Sequence, residues 1–137
     1  AHAVWNGTLK DGHGQMDVES GAFHGSYSFG TRFAEEKGTN PEELIGAAHA
    51  GCFSMAISGA LVEAGFQPQR IETDAAVSIE KTGAGFSITA IRLSTKGRVP
   101  GIDAASFRDI AEQAKNGCPV SRALAGISIS LEAELLE

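Results

Sequence analysis

Residues 39 to 65 read TNPEELIGAAHAGCFSMAISGALVEAG, and they predict one long helix at about 40–65. Asn40 is a good N-cap, Pro41 fits the first helical position, and Gly65 provides a C-terminal stop. Apolar side chains fall on every face of this helix, so it should be buried almost all round. A lone domain rarely surrounds a helix of about seven turns. We therefore expect a second copy of the chain to pack against it, giving a homodimer with this helix at its centre.

The composition is that of a single soluble globular domain spanning 1–137. The formal net charge of −6, without a cluster of Lys or Arg, argues against nucleic-acid or membrane-surface binding. We see no export-signal pattern and only two cysteines. Both features favour a cytoplasmic location, where two thiols are more often catalytic, redox-sensing or inert than a structural bridge.

The segments on either side of the helix predict sheets. Turn signals at Asn6-Gly7 and at 11–14 separate short alternating runs, so we expect a small antiparallel sheet within about 1–34. The following stretch, SYSFGTRFAEEKGTN at 26–40, is typical of a strand that runs into a loop.

After the helix, two alternating runs flank KTGAG at 81–85 and predict a β-hairpin. Asp103 caps an amphipathic helix that ends at Gly117, and Cys118-Pro119 starts a second short helix. The run ISISLEAELL predicts a last strand. The chain therefore fits an α+β fold, with antiparallel sheets wrapped around long central buried helices.

The two thiols have different predicted settings. Cys118 precedes a helix, where backbone N–H groups and the dipole favour a thiolate. Cys52 lies inside the apolar helix, where burial raises a thiol pKa. The residues alone therefore favour Cys118 as the reactive thiol, and Cys52 becomes reactive only beside a cation. Arg32 is the candidate cation, and Glu42 or Glu43 is available to hold it in a bidentate pair.

Three motifs stand out together: TRF at 31–33, NPEELIGAAHAGC at 40–52 and GCPVSRAL at 117–124. The combination resembles the OsmC/Ohr family of thiol-dependent hydroperoxide reductases, and its OsmC branch most closely. The likeness extends over nearly the whole chain. It implies an intertwined homodimer with active sites at the interface and a peroxidase that works without a cofactor or metal.

The resemblance also implies a role for each of four residues. Cys52 matches the peroxidatic cysteine, Cys118 the resolving cysteine, Arg32 the arginine that activates the thiolate, and Glu42 the glutamate that holds this arginine. Hydroperoxides, organic ones preferred and hydrogen peroxide also accepted, would convert Cys52 to a sulfenic acid that condenses with Cys118. On this reading Cys52 is screened, Cys118 is more exposed, and a lipoyl-type or thioredoxin-type dithiol regenerates the pair. Candidate walls of an apolar peroxide pocket are Phe33, Phe53, Met55 and Phe86.

The spacing of Glu42 and Cys52 raises a geometric question. Ten residues along one straight helix separate them by about 15 Å. We therefore expect the Arg32 and Glu42 that serve a given Cys52 to come wholly or partly from the partner chain, or the helix to be broken between them.

Other readings explain fewer of these features. The Cys-x-x-Ser at Cys118 is typical of glutaredoxin-like proteins, but there it follows a strand, whereas here it follows a helix. His49 and Cys52 have metal-ligand spacing, but a structural zinc site needs four ligands. A non-catalytic thiol redox sensor, or a stress-induced protein that binds a hydrophobic ligand, is the alternative that remains open, and catalytic turnover separates it from a peroxidase.

Overall fold

The computed structural model describes residues 1–83 and 85–137, and these form two compact units, residues 1–44 and 45–137. The first unit contains a three-stranded antiparallel sheet in the order β1-β2-β3, followed by the short helix α1. Its elements are β1 (His2–Asn6), β2 (His13–Asp17), β3 (His24–Tyr27) and α1 (Phe29–Phe33). The predicted small sheet is confirmed, whereas the single domain over 1–137 stays a prediction.

Helix α1 replaces the loop that the sequence predicts around Arg32. Ser28 and Thr31 form a reciprocal capping box: the Ser28 hydroxyl accepts from the Thr31 N–H at 3.2 Å, and the Thr31 hydroxyl accepts from the Ser28 N–H at 2.8 Å. These two bonds satisfy backbone donors that a loop would leave to water. Arg32 is therefore held on a turn of helix.

Helix α2 (Pro41–Glu63) confirms the predicted long helix. Asn40 caps it, since its side-chain oxygen accepts from the Glu43 N–H at 2.7 Å. Gly65, at φ +91°, supplies the left-handed residue that ends the helix. The helix is continuous, so the expectation that it is broken between Glu42 and Cys52 is wrong.

The faces of α2 differ in burial. Phe53, Ile57 and Leu61 are 0% exposed and belong to the core, whereas Met55 is 78% exposed and Val62 49%. The core of one chain therefore covers one face of α2 only, and burial all round by a second chain stays a prediction. By length and composition α2 is also apolar enough to cross a membrane, although Phe53, Ile57 and Leu61 on one of its faces pack in the core.

The second sheet has the order β4-β5-β6. β4 (Arg70–Thr82) and β5 (Gly85–Arg98) are antiparallel, which confirms the hairpin, although Ala84 of its turn lies outside the described residues. β6 (Ser128–Leu136) runs parallel to β5, which differs from the all-antiparallel expectation. The chain returns to the start of the sheet through helices, as a parallel pair requires. The α+β class is confirmed.

These helices are α3 (Ala104–Gly117) and α4 (Pro119–Ala123), and Cys118 lies at their junction. Asp103 caps α3 as predicted, accepting from the Ser106 N–H at 2.9 Å. Phe107, Ala111 and Ala114 of α3 pack in one core cluster with Phe53, Ile57 and Leu61 of α2. This shared core fixes the position of Cys118 within the second unit.

Candidate active site

The two thiols meet in the second unit. Cys52 Sγ and Cys118 Sγ lie 3.1 Å apart, although 66 residues separate them in the sequence. Both cysteines are free. Because a disulfide has an S–S length of about 2.05 Å, a shift of about 1 Å closes the bond. The pair is therefore placed to form and break a disulfide with little movement of the backbone.

The two sulfurs differ in accessibility, in the order opposite to the expectation. Cys118 is 0% exposed, whereas Cys52 is half-buried. Cys118 is part of the core that α2 and α3 share, whereas Cys52 is partly buried and packs against that core. A small molecule from solvent therefore reaches Cys52 before Cys118.

The pKa of Cys118 is lowered despite its burial. Burial by itself raises the pKa of this thiol, but hydrogen bonds from the Ser121 N–H, from the Cys52 thiol and from the Ser121 hydroxyl outweigh it. The N–H of Val120 acts in the same direction. Within one chain, the thiolate of the pair is therefore best stabilised at Cys118, as the residues alone suggested.

The pKa of Cys52 is raised correspondingly. The hydrogen bond with Cys118 is the main cause, and burial and the charge of Cys118 act in the same direction against one N–H of Val120. No cationic side chain is among these causes within the described residues. Cys52 therefore needs a cation from elsewhere to be the attacking thiolate.

The first unit contains the cationic side chain that the sequence predicts, held in place by a carboxylate. Arg32 Nη2 donates to Glu42 Oε1 at 2.7 Å, and Nε lies 3.1 and 3.2 Å from the two carboxylate oxygens. Glu42 is only 5% exposed. Such a two-nitrogen pair fixes the plane of the guanidinium, whose other N–H donors remain for a ligand.

Arg32 also borders a cavity of about 390 Å³. Its other lining residues are mostly aromatic or apolar, and include Trp5, Leu9, Tyr27, Phe29 and Phe33. The sequence named only Phe33 of these; the concentration of aromatic residues before position 34 is the signal it offered. Phe53, named as a wall, packs in the core instead, whereas Met55 and Phe86 are exposed.

The structure thus groups the four predicted site residues in two pairs. Arg32 contacts Glu42 in the first unit, and Cys52 contacts Cys118 in the second. Within residues 1–83 and 85–137, we find no group of three or more His, Cys, Asp or Glu that could hold a metal.

A buried histidine lies near the thiols and was assigned no chemistry by the sequence. His49 is 0% exposed, and its Nε2 lies 2.7 Å from the hydroxyl of Ser121, which is 6% exposed. Burial lowers the pKa of His49. Sequence reasoning missed Ser121; the available signal was spacing, since a polar residue lies three positions from each cysteine.

Comparison with known proteins decides the family. The family model described as OsmC-like protein matches residues 34–132. Over 123 residues, the chain is 57% identical to the peroxiredoxin OsmC of Escherichia coli (strain K12), which covers 89% of this chain and 86% of the relative. The chain belongs to the OsmC family. The resemblance stated from its motifs is confirmed.

More distant relatives extend the OsmC comparison. The organic hydroperoxide resistance protein of Xanthomonas axonopodis pv. citri (strain 306) is 33% identical over 91 residues, covering 65% of this chain and 61% of the relative. The crystal structure of the organic hydroperoxide resistance protein OhrB of Bacillus subtilis superposes with a TM-score of 0.73 at 25% identity, covering 98% of this chain and 96% of that one. The OsmC-like fold is confirmed, and these names support the predicted peroxidase or hydroperoxide reductase.

Proposed function

We propose that this OsmC-family chain reduces hydroperoxides through a two-cysteine cycle, with Cys52 as the attacking thiol and Cys118 as the resolving thiol. The observation that carries the proposal is the thiol pair itself: 3.1 Å between the sulfurs, with Cys52 half-buried and Cys118 fully buried. A peroxide must reach the attacking sulfur, whereas the resolving sulfur only has to reach its neighbour.

The atoms and electrons of the cycle balance among the chain, the peroxide and one external reductant. The Cys52 thiolate attacks the terminal peroxide oxygen, the O–O bond breaks, and the alcohol leaves after protonation, so that Cys52 becomes a sulfenic acid. Cys118 then attacks the Cys52 sulfur, forming a disulfide and releasing water. A dithiol reduces this disulfide by exchange through a mixed disulfide. We assign that dithiol to the lipoyl or thioredoxin type.

We propose organic hydroperoxides as the preferred substrates, with hydrogen peroxide accepted more slowly. The cavity beside Arg32 is lined by aromatic rings, and apolar walls favour a ligand with an apolar tail. Hydrogen peroxide has no such tail and gains nothing from these walls. The guanidinium of Arg32, held by Glu42, is suited to hydrogen-bond the peroxide oxygens and to stabilise a thiolate.

We propose further that Arg32 and Glu42 serve Cys52 of the partner chain in a homodimer. Glu42 and Cys52 lie on one continuous helix, about 15 Å apart along its axis, which disfavours a shared site within one chain. The exposed stripe of α2 is apolar and includes Gly51, Met55, Gly59 and Val62. Its two glycines have no side chain to keep a second helix at a distance. A second copy of the chain is the occupant we assign to it.

The substitution Met55→Lys should convert the dimer to a monomer. In a symmetric dimer it places two ammonium groups in an apolar contact, and each buried, unpaired charge costs several kcal/mol. Light scattering coupled to size exclusion should then give the mass of one 14.2 kDa chain. Gln67→Lys, which adds the same charge at an exposed position beyond α2, should leave the dimer intact. A Met55→Lys protein that stays dimeric places the interface elsewhere.

Turnover separates the peroxidase from a thiol sensor. With cumene hydroperoxide and excess dihydrolipoamide, the chain should consume many equivalents of peroxide per subunit, faster than it consumes hydrogen peroxide. Peroxide loss followed by ferrous–xylenol orange and reductant loss should agree one to one. Consumption that stops at one equivalent despite excess dithiol identifies a redox sensor, and no consumption identifies a ligand-binding protein.

The proposed setting is oxidative or osmotic stress defence in the cytoplasm, by a single OsmC-like domain. Reducing systems keep thiols reduced there and supply the dithiol that the cycle requires. A reduced pair, poised 3.1 Å apart, is the state in which the cycle begins.

A further inference from the structure

His49 and Ser121 form a buried polar chain that ends at Cys118. His49 Nε2 lies 2.7 Å from Ser121 Oγ, and Ser121 is the third residue of α4, whose N-cap is Cys118. This position places the Ser121 hydroxyl beside the Cys118 sulfur, whose pKa it lowers. All three residues are at most 6% exposed. The attack of Cys52 on a peroxide, as proposed above, makes no use of His49 or Ser121.

Packing alone does not account for the imidazole. A buried polar atom normally has a hydrogen-bond partner, because leaving it unpaired costs about 1–3 kcal/mol. His49 Nδ1 is buried and has no such partner within the part of the chain that the structure describes. Among the described residues, only Nε2 of the His49 ring has a partner, and that partner is the hydroxyl of Ser121, in the helix that Cys118 caps.

We propose that His49 and Ser121 act as a proton relay for the resolving step, a role that rests on the two-cysteine cycle proposed above. In the structure the Cys118 S–H donates to Cys52 Sγ. In the relay this S–H turns to donate to Ser121 Oγ, and the Ser121 O–H donates to His49 Nε2. Shifting both protons one place leaves a Cys118 thiolate that accepts from Ser121, which in turn accepts from a protonated His49. The same two hydrogen bonds hold both states, so no atom has to move far.

The relay balances with the chemistry of disulfide formation. The Cys118 thiolate attacks the Cys52 sulfenic sulfur, the S–S bond forms, and the S–O bond breaks. The departing hydroxide takes up the proton that His49 gives up, so it leaves as water and His49 becomes neutral again. The net reaction converts one thiol and one sulfenic acid to one disulfide and one water, and needs no outside oxidant or reductant.

The surroundings of His49 let its imidazole hold an extra proton only briefly. Burial lowers its pKa, so an imidazolium there gives up its proton readily. The titratable groups along this chain are Cys118 and, beyond it, Cys52. Within residues 1–83 and 85–137, no charged side chain shifts the pKa of His49.

The first test measures the Cys118 thiolate directly and needs no peroxide. In a Cys52→Ser background, ultraviolet absorbance of the thiolate is followed against pH. Ser121→Ala should raise the midpoint by about one pH unit, because the thiolate loses a hydrogen bond. His49→Gln keeps an amide donor for Ser121 and should leave the midpoint nearly unchanged. An unmoved midpoint in Ser121→Ala overturns the proposed contact.

The second test separates peroxide attack from disulfide closure in single turnovers. Stopped-flow measurements should show Ser121→Ala and His49→Gln closing the disulfide at least about tenfold more slowly, the size of effect that proton transfer commonly has. Loss of peroxide in the first phase should stay within about twofold of the wild type, since the attack of Cys52 makes no use of His49 or Ser121. Rate constants are compared with the thermal midpoint of each variant.

Thr95→Val is the matched control. Thr95 is also a fully buried hydroxyl of the second unit, but it bonds Thr73 and the Glu72 carbonyl in a separate network. The Thr95→Val substitution should leave the rates of both phases unchanged. If both relay variants close the disulfide at the wild-type rate, the relay is wrong and the two-cysteine cycle stands. If both phases slow equally and the thermal midpoint falls, the residues have a structural role, and the relay is again wrong. A wild type that forms no disulfide overturns the two-cysteine cycle and the relay with it.

Discussion

Replacing Cys52 with serine should reduce peroxide turnover to the uncatalysed background, a loss of at least about 1,000-fold, because a hydroxyl at neutral pH is a far weaker nucleophile than a thiolate. Replacing Cys118 with serine should have a different effect. That protein should consume one equivalent of peroxide per chain and then stop, since its Cys52 sulfenic acid has no thiol 3.1 Å away with which to condense. The burst amplitude and the steady rate are measured in the same stopped-flow trace.

Mass spectrometry of the oxidised variants provides the matching observation. The Cys118→Ser protein should gain one oxygen on the peptide that contains Cys52, and more oxygens at higher peroxide. The wild type should instead lose two hydrogens, with Cys52 linked to Cys118. If Cys52→Ser turns over normally, then Cys118, whose pKa is the lowered one within the chain, is the attacking thiol and the assignment of roles is reversed.

Local signals explain why much of the fold is predictable from sequence. The caps of α2 and α3 depend on residues within four positions of Asn40 and Asp103, so their boundaries can be read directly. The pairing of β6 with β5 depends on how the intervening helices return the chain, and no local pattern specifies it. Helix α1 escaped prediction because its capping box uses Thr31 where glutamate or glutamine is usual.

The same difference between local signals and long-range contacts applies to the candidate site. The residues alone indicated Arg32 and the two cysteines, whereas the choice of Glu42 over Glu43 and the role of each residue came from the resemblance. These roles stay predictions. The predicted setting of Cys118 before a helix favoured it over Cys52 as the reactive thiol, which agrees with the direction of both thiol pKa shifts in one chain. The contact of His49 with Ser121 spans 72 positions and had no sequence signal beyond a shared three-residue spacing. Long-range contacts of side chains are what the sequence alone could not supply.

Two inactive chains should restore activity when they are combined in one dimer. One chain carries Cys52→Ser, and the other carries Arg32→Met with Glu42→Gln, so that removing the cation does not leave a buried carboxylate unpaired. If Arg32 and Glu42 act on the thiols of the partner, one site of the heterodimer contains all four functional groups and the other retains only Cys118. Heterodimers purified through two different tags should therefore have about half of the wild-type activity per dimer.

The control uses the geometry of the thiol pair. Cys52 and Cys118 of the same chain lie 3.1 Å apart, so a heterodimer of Cys52→Ser with Cys118→Ser contains no complete pair. It should give one turnover and no steady rate, even though its two chains carry one intact copy of each cysteine. If the Arg32 and Cys52 variants fail to complement while both homodimers fold, the arginine acts on its own chain. In that case the continuous α2 has to bring Glu42 and Cys52 to one peroxide by bending, which a structure of the oxidised dimer would show as a kink between them.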